Sequence, residues 1–207
     1  MPRPPQRIPA AGFVLVGGQS RRMGHDKALL ELCGRPMFRR TVELLQPYVE
    51  EVTLLGPMTR YGGFGLPVAD DACPGQGPLG ALYTGLKLSS REWNLVFACD
   101  LPHLNHRIVE LLLQRAAETS AQAVVPVAGN LFQPLCAAYH RSCLPAIKAA
   151  LNRDENHSLV GLLSLLRVEV LTSGPDESPS AWEKLFWNVN TAEQWAQLQS
   201  SVGTQGL

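Results

Sequence analysis

The sequence predicts a layered α/β fold, and three observations carry that prediction. Short apolar runs alternate with longer amphipathic segments along most of the chain. At 207 residues, 45% of them hydrophobic, the chain is long enough to bury a substantial core as one domain. Glycine-rich or acidic turns follow several of the apolar runs, as expected where strand ends carry a ligand.

Taken in order, Phe13–Val16 reads as a buried strand, and a helix is expected from about Met37 to Tyr48 with Leu44 and Leu45 inward. Val52–Leu55 is the next strand. A turn at Gly62, Gly63 and Gly65 leads to a short strand near Pro67–Ala69. Leu79, Leu82 and Leu86 recur at helical spacing and place a helix from about Leu79 to Leu88; Asn94–Ala98 is the candidate central strand. Asn105 is suited to cap a helix carrying Ile108, Val109, Leu111, Leu112 and Leu113. Strands follow at Ala123–Val127 and Leu135–Tyr139, helices across Ser142–Leu151 and Ser158–Leu166, and a late strand at Val168–Leu171. Thr191 and Gln194 have capping-box spacing for a last helix. Ser173–Ser180 reads as a linker, residues 1–9 and 200–207 as flexible tails, and residues 10–199 as a single domain.

Composition narrows the function classes. Lys+Arg and Asp+Glu number 18 each, so no overall field draws the protein to nucleic acid or anionic lipid. The five cysteines (Cys33, Cys73, Cys99, Cys136, Cys143) are scattered without a C-x-x-C pair, which argues against a disulfide framework or a structural zinc site. The five histidines form no H-E-x-x-H pattern, and no G-x-S-x-G elbow is present, so zinc hydrolysis and Ser-His-Asp acyl transfer lose support. With no signal-peptide core or membrane span at its start, the chain is expected to be cytoplasmic.

Four segments carry candidate chemistry. In Leu15–Leu30, the strand end Leu15 and Val16 runs into Gly17, Gly18, Arg22, Met23, Gly24, Asp26 and Lys27. Glycines admit close backbone approach, their amides can ring an anion, and Arg22 and Lys27 add full positive charge, so this is a site for a polyphosphate. The spacing fits neither the P-loop nor the dinucleotide G-x-G-x-x-G pattern. In Cys99-Asp100-Leu101-Pro102, Asp100 follows an apolar strand, where a carboxylate suits magnesium bound with substrate phosphates; a simple strand-end turn is the plainer account. In Asp70–Gly80, the glycines at 75, 77 and 80 would let a base or ribose lie against backbone. Asp71, chosen over Asp70, would accept hydrogen bonds from it. In Phe186–Thr191, Asn188 and Asn190 share one face of an extended segment and are candidates for the acceptor, with capping as the plainer role.

These segments, in this order, resemble the molybdenum cofactor guanylyltransferases from about Gly12 to Leu198. The resemblance implies a single Rossmann-like, three-layer nucleotidyltransferase domain with a mostly parallel central sheet. It implies magnesium and GTP as cofactor and nucleotide, and molybdopterin as the acceptor of GMP on its terminal phosphate. Cofactor-delivery proteins or acceptor molybdoenzymes are the protein partners it implies. Carried over by position, Leu15, Val16, Gly17, Gly18 and Gly77 would meet the nucleotide, Lys27 the phosphates, Asp71 the guanosine, and Asp100 the magnesium and GTP. Arg22, Lys27 and Asp100 form the implied catalytic set. The chain departs from the family pattern at Val16, where a small residue is usual, at Leu55-Gly56-Pro57, where an Asn is frequent, and at Gly80, where the family has Ala. Two other readings stay open at this stage: a nucleotidyltransferase that uses CTP or a sugar-phosphate acceptor, and a nucleotide-binding adaptor without catalysis.

Overall fold

A computed structural model describes residues 8–17, 26–152, 158–173 and 178–205. In chain order the elements are β1 (Ala10–Leu15), β2 (Glu31–Leu32), β3 (Arg35–Pro36), α1 (Met37–Leu45), β4 (Val52–Leu55), α2 (Met58–Tyr61), β5 (Val68–Ala69), α3 (Gly77–Leu88), β6 (Trp93–Ala98), α4 (His106–Glu118), β7 (Ala123–Ala128), β8 (Leu131–Phe132), β9 (Cys136–His140), α5 (Leu144–Leu151), α6 (Leu159–Leu163), β10 (Val168–Leu171), α7 (Pro179–Leu185) and α8 (Ala192–Gln205). Short 3₁₀ turns lie at Lys27–Leu29, Gly62–Phe64 and Arg141–Cys143.

The main sheet runs β10-β7-β9-β6-β1-β4-β5, with β8 paired to β7, so β6 is central as its unbroken apolar run suggests. β5, β4, β1 and β6 are mutually parallel, whereas β9 is antiparallel to both β6 and β7. Successive strand residues face opposite ways. Phe13, Leu55, Val96 and Val125 therefore pack on α3, α5 and α6, while Val14, Leu54, Leu95 and Phe97 pack on α1, α4 and α7. The result is three layers, helices over both faces of one sheet. Each fully buried aliphatic or aromatic side chain in them contributes about 1.5–3 kcal/mol.

Several sequence expectations shift by up to three residues, β1 among them, which starts at Ala10 rather than Phe13. α1 stops at Leu45 rather than Tyr48, because Pro47 has no N–H to continue the ladder. α3 begins at Gly77, with Pro78 in its first turn, where the missing N–H costs nothing. α6 ends at Leu163 rather than Leu166. Asn105 caps α4 through Ile108 N as expected. The linker reading of Ser173–Ser180 is corrected at its end: Ser178 Oγ accepts from Ala181 N and starts α7. Residues 174–177 lie outside the described residues. α8 continues to Gln205, past the point where a loose tail is expected. Two small hairpins have no counterpart in the sequence reading. β2 and β3 turn through Cys33 and Gly34, and β7 and β8 through Gly129 and Asn130, each pair with positive φ at both positions, the geometry of a tight two-residue hairpin. No helix among the described residues is long and apolar enough to cross a membrane.

Candidate active site

Four neighbouring parallel strands end at one rim of the sheet, and their carboxyl ends supply the candidate residues. β1 leads to Val16 and Gly17, β4 to Gly56 and Pro57, β5 to Asp70 and Asp71, and β6 to Cys99 and Asp100. This is the crevice where open α/β sheets collect ligands. A cleft of about 910 Å³ fills it, lined by Leu15, Val16, Gly17, Lys27, Asp71, Gly77 and Asp100 among others. A second cleft, about 710 Å³, opens at the opposite end of the strands around Trp93, His140 and Arg167, far from these groups.

Lys27 and Asp100 meet in the main cleft. Lys27 Nζ lies 3.8 Å from Asp100 Oδ2, an ion pair too long for a hydrogen bond, and donates instead to Asn190 Oδ1 at 2.6 Å. Burial raises the Asp100 carboxyl above its ordinary value, and the Lys27 charge opposes that rise without cancelling it. The same burial pushes up the Cys99 thiol beside it, leaving that group an inert packing residue. The segment carrying Asn190 is stitched to the site from behind, since Val189 N donates to the Asp100 carbonyl at 3.0 Å. The capping box at Thr191 and Gln194 forms as expected: Gln194 N donates to Thr191 Oγ1, and Gln194 Oε1 accepts from Thr191 N and from Asn190 N.

Asp71 is fixed at the other end of the cleft. Its Oδ1 accepts from Cys73 N at 2.9 Å and lies 3.1 Å from the Thr84 hydroxyl, which is also 2.8 Å from the Gly80 carbonyl. Asp70 turns differently, with Oδ1 accepting from Met58 N. Gly80 explains how Asp71 sits so close to α3. A Cβ there would come within 2.7 Å of the Cys73 carbonyl and 3.0 Å of Asp71 Oδ2. Gly80→Ala is therefore expected to displace Asp71 and weaken nucleotide affinity about tenfold, ~1.4 kcal/mol, with the fold retained; titration calorimetry with nucleotide checks it.

The two departures nearest the strand ends prove to be steric partners. Val16 is buried, and a Cβ on Gly56 would meet its carbonyl oxygen at 2.6 Å and its Cγ2 at 2.7 Å. The nearest of these atoms is backbone, so Gly56 is required whatever side chain stands at 16, and Val16 only adds to the crowding. Gly17, with φ of +82°, lies equally close to Pro57, where a Cβ would come within 2.7 Å of Cδ.

The structure thus brings together Leu15, Val16, Gly17, Lys27, Asp71, Gly77 and Asp100 around one cleft, with Asn190 beside Lys27. Asn188 is exposed and is not among the residues that line the cleft. Gly18 and Arg22 lie outside the described residues. Thr84, Tyr61 and Arg60 carry no signal in the sequence; their partners Asp71 and Asp26 are 13 to 35 positions away, and no local pattern marks such contacts. Among the described residues no three His, Cys, Asp or Glu side chains cluster to cage a metal.

Comparisons with known proteins bear on the family and the fold. The MobA-like NTP transferase domain matches residues 12–169. A probable molybdenum cofactor guanylyltransferase of Bacillus cereus is 30% identical over 94% of this chain and 98% of its own length. Another, of Pelotomaculum thermopropionicum, is 32% identical over 89% of each chain. The crystal structure of molybdopterin-guanine dinucleotide biosynthesis protein A from Archaeoglobus fulgidus superposes with a TM-score of 0.81 at 20% identity, covering 94% of this chain and 100% of that one, which shows a shared α/β nucleotidyltransferase fold. With the family's pattern matching residues 12–169 and relatives of 30% and 32% identity over most of its length, the chain is a nucleotidyltransferase and belongs to the MobA-like NTP transferase domain family.

Proposed function

We propose that the protein transfers GMP from GTP to the terminal phosphate of molybdopterin, releasing pyrophosphate. The observation that carries this is the meeting of Lys27 and Asp100 in a cleft whose other end holds Asp71. A cation and an anion that close serve a polyphosphate, and a fixed carboxylate beyond them serves the nucleoside. The names of the Bacillus and Pelotomaculum relatives supply guanine and the molybdenum cofactor.

In this reading the acceptor's phosphate oxygen attacks the α-phosphorus of GTP in line. A P–O bond forms as the bond to the β-phosphate's bridging oxygen breaks, and pyrophosphate carries away the electron pair. The acceptor is already anionic near neutral pH, so no side chain need remove a proton. Lys27 keeps two of its three N–H donors after bonding Asn190, enough to offset charge on the α- and β-phosphates. Asp71, one oxygen held by Cys73 N, presents the other to the adjacent N–H donors of guanine.

Asp100 fits a magnesium ion. Its carboxylate is a quarter exposed to the cleft, and the 3.8 Å gap to Lys27 leaves both oxygens able to coordinate. Magnesium is commonly held by one or two carboxylates together with substrate phosphates, so the lack of an acidic cage among the described residues suits it. Bound there, the ion would neutralise charge developing on the phosphates.

A thermal-shift panel with magnesium tests the reading. GTP at a hundredfold excess over Kd stabilises by ~2.7 kcal/mol, a rise on the order of 5–10 °C, and CTP, UTP and ATP are expected to give far less. Pyrophosphate release from GTP and molybdopterin is the matching activity. Stabilisation by CTP alone would reject the guanylyl assignment, and GTP binding without pyrophosphate release would make the protein an adaptor.

A further inference from the structure

The turn from Pro57 to Tyr61 touches both stems that flank residues 18–25. On the entering stem, a Cβ on Gly17 would lie 2.7 Å from Pro57 Cδ and 3.5 Å from Tyr61 Cε2, so the backbone runs directly against this turn. On the leaving stem, the Tyr61 hydroxyl donates to Asp26 Oδ2 at 2.7 Å, and Arg60 Nη1 donates to the same oxygen at 2.6 Å. Asp26 Oδ1 accepts from Ala28 N at 3.1 Å and so starts the 3₁₀ turn whose first residue is Lys27. One tyrosine thus reaches both ends of the segment and, through Asp26, the candidate catalytic lysine.

Tyr61 is a rigid post. It is fully buried, with its ring edge-on to Phe38 at 5.9 Å and tilted against Phe64 at 6.4 Å. Its own helix is anchored in turn, because Asp70 accepts from Met58 N. Burial and the Asp26 carboxylate both push the phenol above its ordinary range, so it remains a hydrogen-bond donor across the working pH range. Tyr61 and Arg60 do not line the cleft. The Tyr61 ring backs Gly17, but its hydroxyl bonds Asp26, so the influence of that hydroxyl on a ligand in the cleft passes through Asp26 and Lys27.

We infer that Tyr61 is a positioning residue for Lys27, holding Asp26 by a hydrogen bond to a charged acceptor so that the ammonium stands ready beside Asp100. The inference rests on the reading above, in which Lys27 acts on the phosphates. Its physical basis is that charge-assisted bonds are strong and directional, whereas displacement of a catalytic group by about 1 Å costs on the order of a hundredfold in rate.

Tyr61→Phe keeps the ring packing and deletes only the hydroxyl. Its kcat is expected to fall on the order of ten- to a hundredfold, with the Kd for GTP changed less than about twofold, because the lost contact is one that matters as charge develops. Asp26→Asn is expected to do the same, and the double variant to be no slower than the worse single, since both act along one path. Ile147→Val, in the core on the other face of the sheet, serves as a control of similar thermal cost with kcat unchanged. A second readout needs no turnover: amine-labelling mass spectrometry is expected to show Lys27 modified several-fold faster in Tyr61→Phe than in wild type or Ile147→Val. Wild-type kcat together with wild-type Lys27 labelling in folded Tyr61→Phe overturns the inference. No pyrophosphate release by the wild-type protein defeats the transfer reading instead, and the labelling result then decides the positioning alone.

Discussion

Asp100→Ala is expected to lose on the order of 10²–10³ in kcat, equivalent to about 3–4 kcal/mol of transition-state stabilisation, while the protein stays folded. The fold should survive because Asp100 sits at a rim rather than in a packed layer, and its ionised carboxylate is a net burden on the folded state. Folding raises this carboxyl pKa, so between the ordinary carboxylate value and the raised one the folded chain binds more protons than the unfolded chain. The Asp100 contribution to stability is therefore fully present below that interval and declines as pH rises through it. Activity is expected to run the other way: kcat/KM falls on the acid side as the carboxylate is protonated and can no longer hold a divalent cation. A pH–rate profile with this acid limb, paired with thermal unfolding of Asp100→Asn at least as high as wild type without ligand, checks both halves. Turnover by Asp100→Ala within twofold of wild type would remove the residue from the mechanism.

Lys27→Met ranks second. Methionine keeps most of the stem and removes the charge, so the expected loss is again about 10²-fold or more in kcat. A further effect compounds it. The Lys27 charge is what restrains the Asp100 carboxyl, and without it the pKa of Asp100 rises further, moving the acid limb of the pH profile to higher pH. Arginine is not a conservative rescue, since its planar fork cannot reproduce a compact ammonium shared between Asn190 and a phosphate. Single-turnover pyrophosphate release across pH separates the two effects: lost charge lowers the plateau, and the altered Asp100 shifts the limb.

The regular skeleton was legible because its signals are local. Apolar runs with turn residues after them mark β4, β6 and β10 to within a residue and β1 to within three, and side-chain caps mark the starts of α4 and α8. Ser178 and Pro179 carried the same kind of signal for α7, hidden in a stretch whose serines and prolines read as linker. The antiparallel course of β9 was not legible, since burial on both faces makes a strand apolar whichever way it runs. In the site, Lys27, Asp71 and Asp100 were readable from motif and strand end. Their supports were not. Tyr61, Thr84 and Gly56 act across 13 to 40 positions of sequence, and their roles appear only once the chain is folded.

The bond from Lys27 to Asn190 spans 163 positions, and Val189 holds the Asp100 carbonyl from the same late segment. Translation therefore delivers the lysine 163 residues before its partner. At about 5–20 residues per second, that gap lasts on the order of ten to thirty seconds. Throughout it, a nascent chain on the ribosome carries the lysine without its clasp, so a competent cleft waits on the segment that bears Val189 and Asn190.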